Sequence, residues 1–135
     1  MYTVVVGAGK VGLNLAKKLA DEGAQVVLVE QNPARCEDLE GSLGTIRLIC
    51  GDGDEPSVLD DAGVRGADAL VAATGHDEDN LVVCLLGKME YRVPMTVARI
   101  NNPANKWLFT DRFGVDHAVC STEIMVGLLR EASEG

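Results

Sequence analysis

Val4-Val5-Val6-Gly7-Ala8-Gly9-Lys10-Val11-Gly12 holds the decision about the fold. Three β-branched residues run straight into a glycine, which is how a buried strand ends in a tight turn. From Lys10 to Asp21 the pattern turns helical, with Val11, Leu15 and Leu19 on one stripe and Gly23 placed as a left-handed cap. The three glycines therefore span a strand-to-helix junction. Gly7 permits the turn, Gly9 lets an anion approach the backbone, and Gly12 lets the helix pack close to the strand. The helix start then offers free N–H groups and a partial positive charge. A GxGxxG string alone is weak evidence, but in this setting it reads as a phosphate cradle.

Outward from that junction the alternation repeats. Strands are expected at Tyr2–Val6, Gln25–Glu30, Thr45–Cys50, Ala69–Ala73, Met95–Ile100 and His117–Val119. Most are continuous apolar runs, as in parallel strands covered on both faces. Helices are expected between them. One runs from Pro33 to about Leu39 with Asn32 as N-cap, and one over Glu55–Ala62 with Asp54 as cap. Others run from Asn102-Pro103 to about Phe113, and from a cap at Ser121 or Thr122 to about Arg130, leaving Ala132–Gly135 frayed. The order predicts an α/β fold, a Rossmann-type doubly wound parallel six-stranded sheet with strand order 3-2-1-4-5-6.

The helix expected over Asp79–Met89 differs from the rest. It carries six apolar residues in a row, Leu81 to Leu86. Six positions go more than once round a helix axis, so no ordinary polar face fits there. Such a helix is either deeply buried or packs on the sheet with one side and on another subunit with the other.

Composition narrows the function. The chain has 135 residues, which fits one domain with its own core. Twelve basic against twenty-one acidic residues give a net charge of −9, which argues against a nucleic-acid partner. The start of the chain has no basic, apolar signal pattern, and no apolar run approaches the roughly 20 residues of a membrane span. A cytoplasmic protein that reaches a membrane only through a partner is expected. Cys36, Cys50, Cys84 and Cys120 are too widely spaced for a zinc knuckle, and three lie in apolar stretches, so reduced, packed thiols are expected.

Further site residues follow from the strand ends. Glu30 ends the second strand, 18 residues after Gly12. An acid there accepts hydrogen bonds from the adenosine ribose and repels a 2′-phosphate. Asp52, after the third strand, is placed to accept from an adenine amino group. Thr74 and Gly75, after the fourth, face the same edge. The acid run Asp77-Glu78-Asp79 is expected as a helix N-terminal charge cluster rather than a metal site.

The assembled motifs resemble the TrkA N-terminal domain, or RCK N-lobe. Val5-Val6-Gly7-Ala8-Gly9-Lys10-Val11-Gly12, Val29-Glu30-Gln31-Asn32-Pro33, Gly51-Asp52, the run from Ala67 to Thr74, and Asp77-Glu78-Asp79-Asn80 carry the resemblance. Val97-Ala98-Arg99 and Phe113-Gly114-Val115-Asp116 complete it, so it covers nearly the whole chain in order. The resemblance implies a homodimer or higher oligomer that binds NAD(H) or ATP/ADP and gates a potassium channel or transporter membrane subunit. It implies that Gly7, Gly9, Val11 and Gly12 cradle phosphate, that Glu30 and Asn32 hold the ribose, and that Asp52 faces adenine. Lys10 reaches a terminal phosphate and Arg99 lies near the phosphates. Some members bind a divalent cation through a glutamate before the last helix. Glu123 stands at that position, although Thr122 replaces the usual proline. Full members continue into a second lobe, so residues 1–135 are expected to be a single RCK N-type domain with the C-terminal lobe absent.

The competing class is the cofactor domain of an NAD-dependent oxidoreductase lacking its catalytic part. Hydride transfer needs an acid/base group beside the nicotinamide. The histidines are His76 and His117, and neither has a partner in the sequence pattern. A regulator is the expected class, not an enzyme.

Overall fold

The computed structural model describes residues 1–134. Six parallel strands form one sheet in the expected order, β3-β2-β1-β4-β5-β6. They are β1 (Tyr2–Val6), β2 (Gln25–Glu30), β3 (Arg47–Cys50), β4 (Ala69–Ala72), β5 (Met95–Arg99) and β6 (His117–Val119). Between them lie α1 (Lys10–Asp21), α2 (Pro33–Leu39), α3 (Pro56–Asp61), α4 (Asp77–Met89) and, last, α5 (Ser121–Glu134).

The apolar runs explain the layering. Side chains alternate across a strand, so β1 sends Val4 and Val6 to one face and Val5 to the other. Val4, Val6, Val27, Val29 and Leu70 pack with Leu59, Val83 and Cys84 beneath α3 and α4. Val5, Val26, Leu28 and Val71 pack with Ala16 and Leu39 beneath α1 and α2. Register is tight along the central strands, where Val4 sits between Val27 and Leu70.

α1 ends as expected. Gly23 has φ +90°, its N–H donates to Ala20 O, and the Ala24 N–H donates to Leu19 O. That pair of bonds is the Schellman closure. The buried side of α1, however, is Gly12 and Ala16, while Val11 is 46% exposed. Small residues set the contact because they bring the helix closest to the sheet.

Four other expectations are corrected. The stretch from Pro103 to Phe113 is two 3-10 segments, Pro103–Leu108 and Asp111–Phe113, rather than one α-helix. Phe109, between them, is buried in the core, and anchoring it breaks the helical path. Asp54 does not cap α3. The N-cap is Glu55, and no side chain bonds the free amides there. α5 remains helical through Glu134, so only Gly135 of the expected frayed end lies outside the described residues. Cys50 is exposed, since β3 is an edge strand, whereas Cys36, Cys84 and Cys120 are buried.

α4 divides its apolar run between two sides. Val83 and Cys84 are fully buried against the sheet, while Val82, Leu85 and Met89 face outward. α5 buries no side chain, and Ile124, Met125, Leu128 and Leu129 stand exposed. No described helix is long and apolar enough to cross a membrane.

Candidate functional site

A cleft of about 330 Å³ opens at the carboxyl ends of β1 to β5. This is the edge where open α/β sheets take ligands, at the point where strand order reverses on either side of β1. Gly7, Gly9, Glu30, Asn32, Asp52, Thr74, Gly75 and Arg99 all line it. Lys10, Val11 and Gly12 do not. Gly12 is buried beneath the loop, and Lys10 and Val11 are exposed at the start of α1.

The glycine loop is built by close approach. Gly7 has φ +108°, and a Cβ there would meet the Ala73 carbonyl and the Thr74 amide at 2.8 Å. A Cβ on Gly12 would drive into the Gly7 carbonyl oxygen. Gly9 is different, because a Cβ there would meet nothing within 4 Å. Gly9 also lines the cleft. The first intrahelical bond of α1 is Leu13 N–H to Gly9 O, so the amides of Lys10, Val11 and Gly12 have no helical acceptor.

Glu30 is already held. Its Oε1 accepts from the Ala8 N–H and its Oε2 from the Asn32 N–H, both at 2.8 Å. One carboxylate oxygen has room for two donors, so each can still take a hydroxyl. Asn32 serves as the N-cap of α2, accepting from the Ala34 and Arg35 amides. Arg35 then donates from Nε to Ala8 O at 2.9 Å, tying α2 to the glycine loop. The motif reading missed Arg35, since no local rule links α2 to a loop 27 residues away.

The far wall rests on two further residues that the sequence reading left without this role. Asn80 is fully buried; its Oδ1 accepts from the Thr74 N–H and hydroxyl, and its Nδ2 donates to Thr74 O and Arg99 O. It locks the ends of β4 and β5 together, and it engages the Thr74 hydroxyl. Asp77 is a buried knot rather than a solvated charge. It accepts from the amides of Asn101 and Asn102 and the side chains of Asn101 and Asn105. Burial pushes this carboxyl upward, but the bonds from Asn101, Asn105 and Asn102 hold it below the usual carboxylate range.

Charge in the cleft is unevenly shared. Glu30, Asp52, Asp54 and Asp79 line it on the acidic side, with Arg99 and His76 as the basic or titratable counterparts. The Asp52 Oδ1 accepts from the Asp54 N–H at 2.9 Å, which shapes the loop after β3. Glu123 stands outside the cleft, in a separate depression with Lys106, Val119 and Ile124. Among the described residues no group of three or more His, Cys, Asp or Glu side chains could hold a metal ion. Among the described residues Glu123 belongs to no such group, so no role for a cation is derived.

The profile of the TrkA-N domain matches residues 3–121. The chain belongs to the TrkA-N domain family. A relative described as Trk system potassium uptake protein TrkA, from Mycobacterium tuberculosis, is 40% identical over 132 residues. That alignment takes in 98% of this TrkA-N chain and 59% of the relative, so the chain spans less than two thirds of the protein it matches. Solved structures share the TrkA-N fold. The TrkA-N domain of the inner membrane protein ybaL from Escherichia coli superposes with a TM-score of 0.83 at 17% identity, covering 97% of this chain and 95% of that one. The GsuK channel bound to NAD gives 0.75 at 22% identity, covering 87% and 21%. The Kef C-terminal domain of Shewanella denitrificans in its AMP-bound form gives 0.77 at 21%, covering 99% and 80%.

Proposed function

We propose that this domain binds NAD(H) or an adenine nucleotide at the β1–β5 cleft and uses its occupancy to regulate a potassium channel or transporter. One observation carries the reading. Unbonded amides at the start of α1 adjoin the open space at Gly9, with Glu30 on the same cleft. Anionic phosphate suits the amides and the helix dipole. Ribose hydroxyls suit the remaining lone pairs of Glu30. A 2′-phosphate would meet the carboxylate, so NADP(H) is disfavoured. Nucleotide-bound relatives of the same fold, GsuK with NAD and Kef with AMP, support this reading. The relative that takes part in potassium uptake supports the regulatory half.

The exposed faces supply the means of transmission. Val82, Leu85 and Met89 on α4, and Ile124, Leu128 and Leu129 on α5, give this chain apolar surface to pair with a second copy. Nucleotide binding at the ends of β4 and β5 lies one helix away from that surface. A homodimer rearranged by the nucleotide, acting on a membrane subunit, is the mechanism we infer. The bound nucleotide is then a signal and not a reactant.

Calorimetry with NAD, NADH, ATP, ADP, AMP and NADPH tests the site. At least one nucleotide without a 2′-phosphate binds, and NADPH binds most weakly. Glu30→Ala weakens binding by about 1–3 kcal/mol, the scale of lost charged hydrogen bonds. If none of the six binds, the reading is wrong.

A further inference from the structure

Asp54 and Asp79 meet at the floor of the cleft. Asp54 comes from the loop after β3 and Asp79 from the first turn of α4, and both line the cavity. Their carboxyl groups lie within hydrogen-bonding reach of each other. The Oδ1 of Asp54 is sealed from solvent and receives no donor from any described group. Two bare carboxylates cannot satisfy each other, because each only accepts. A single proton between them supplies the missing donor and removes the repulsion.

We propose that Asp54 and Asp79 share one proton and that this proton is a second ligand of the nucleotide site, taken up when a nucleotide binds. The proposal rests on the nucleotide reading of the cleft. Its consequence is that affinity rises as pH falls through neutrality.

The surroundings favour this. From the same loop Asp52 faces Asp54, and from α4 Glu78 adds a further negative charge. Glu30 of β2 lines the same cavity, while Arg99 of β5 and His76 of the β4–α4 loop are the cationic or titratable groups on it. Neither pairs with Asp54 or Asp79, since the ion pairs among the described residues are Lys18–Glu22 and Lys88–Asp116. Burial, then the contact with Asp79, then the charges of Asp79, Asp52 and Glu78 push the Asp54 carboxyl up to about 7. The start of α4 stabilises negative charge on Asp79, so Asp54 is the better home for the proton. Above neutrality the pair carries two charges and opposes an incoming diphosphate. With one proton bound, that opposition is roughly halved.

The probe is NAD, whose diphosphate keeps the same charge between pH 6 and pH 8. Calorimetry at pH 6, 7 and 8, in buffers of different ionisation heat, reads affinity and proton uptake together. The expected result is an affinity about fivefold higher at pH 6 than at pH 8, which is what a one-unit rise on binding leaves between those limits for a carboxyl titrating near 7. Asp54→Asn flattens that slope to less than about twofold and abolishes the uptake. A wild-type slope retained in Asp54→Asn assigns the proton to another group, His76 first, and overturns the proposal. The free protein gives a reading that needs no nucleotide. Carbon-13 titration of the aspartate carboxyls places one midpoint near neutrality. Ordinary midpoints for both Asp54 and Asp79 refute the shared proton outright. A midpoint near neutrality with none of the six nucleotides binding at any pH leaves the shared proton standing, while the nucleotide reading and the proposed linkage both fall.

Discussion

The first crossover of the sheet and its last strand and helix use apolar residues in opposite ways. Around β1, α1 and β2 most of the apolar surface is taken up inside the chain, with Val11 the exposed exception. Val4, Val5, Leu28 and Val29 are fully buried, and the turn from β1 into α1 closes so tightly that neither Gly7 nor Gly12 admits a side chain. At β6 and α5 the composition is just as apolar, yet no side chain is buried. Leu128 is 61% exposed and Leu129 70%, and no side chain of the helix is buried. Both helices are amphipathic, so a local pattern does not separate them. What separates them is whether the described residues supply a surface for the helix to pack on. The first corner is complete and holds the cleft. The last leaves its apolar face uncovered.

The sharpest way to break the comparison is at Gly12. Valine there would push its side chain into the Gly7 carbonyl, and the atoms it meets first are backbone, which cannot swing aside. Overpacking of this kind costs about 3 kcal/mol or more. The expected result is a melting temperature lowered by roughly 10 °C and loss of nucleotide binding. If Gly12→Val melts like the wild type, the loop is looser than its geometry implies and the first corner is not closed.

The second break is at Asp77, whose four accepted hydrogen bonds tie the start of α4 to the segment after β5. Asp77→Ala leaves buried donors unpaired and destabilises the domain by about 2–3 kcal/mol at neutral pH. The pH dependence has a definite sign. Folding lowers the proton affinity of Asp77, so its contribution is complete above the ordinary carboxylate range and is lost as pH falls through the lowered value. The gap between wild type and variant therefore closes on acidification in thermal melts. A gap independent of pH would make the knot a matter of packing rather than charge. Asp54 has the opposite sign, since its raised proton affinity favours the folded state at acid pH and that advantage is lost as pH climbs through about 7.

These two aspartates also mark how far the sequence could be read. Strand positions were legible because β-branched runs and glycine turns are local signals, and the strands fall where expected to within two residues at each end. The glycine loop and Glu30 were legible as a pattern because their spacing is set by one strand, one turn and one helix. Asp77 and Asp54 were not. The partners of Asp77 lie 24 to 28 residues away, and only folding brings them near. Asp54 stands one residue ahead of the N-cap of α3, where a local capping rule applies, yet tertiary contact turns it toward Asp79 instead. Pro103 likewise starts a helical turn by local rules, and burial of Phe109 then interrupts it.

The smallest effect on stability, and the sharpest on assembly, is expected at α5. Leu128→Lys and Leu129→Lys replace side chains that touch no core, so the melting temperature of the monomeric chain changes by no more than about 0.5 kcal/mol equivalent. The same changes place charge on the apolar face that a second copy would cover. In light scattering the wild type is larger than a monomer, and the double variant is a monomer at equal concentration. A substantial loss of stability in dilute solution would mean that α5 folds back on its own domain, and the contrast between the two corners would then disappear. Intact stability with intact oligomers would move the interface elsewhere, with Val82, Leu85 and Met89 on α4 as the next surface to charge.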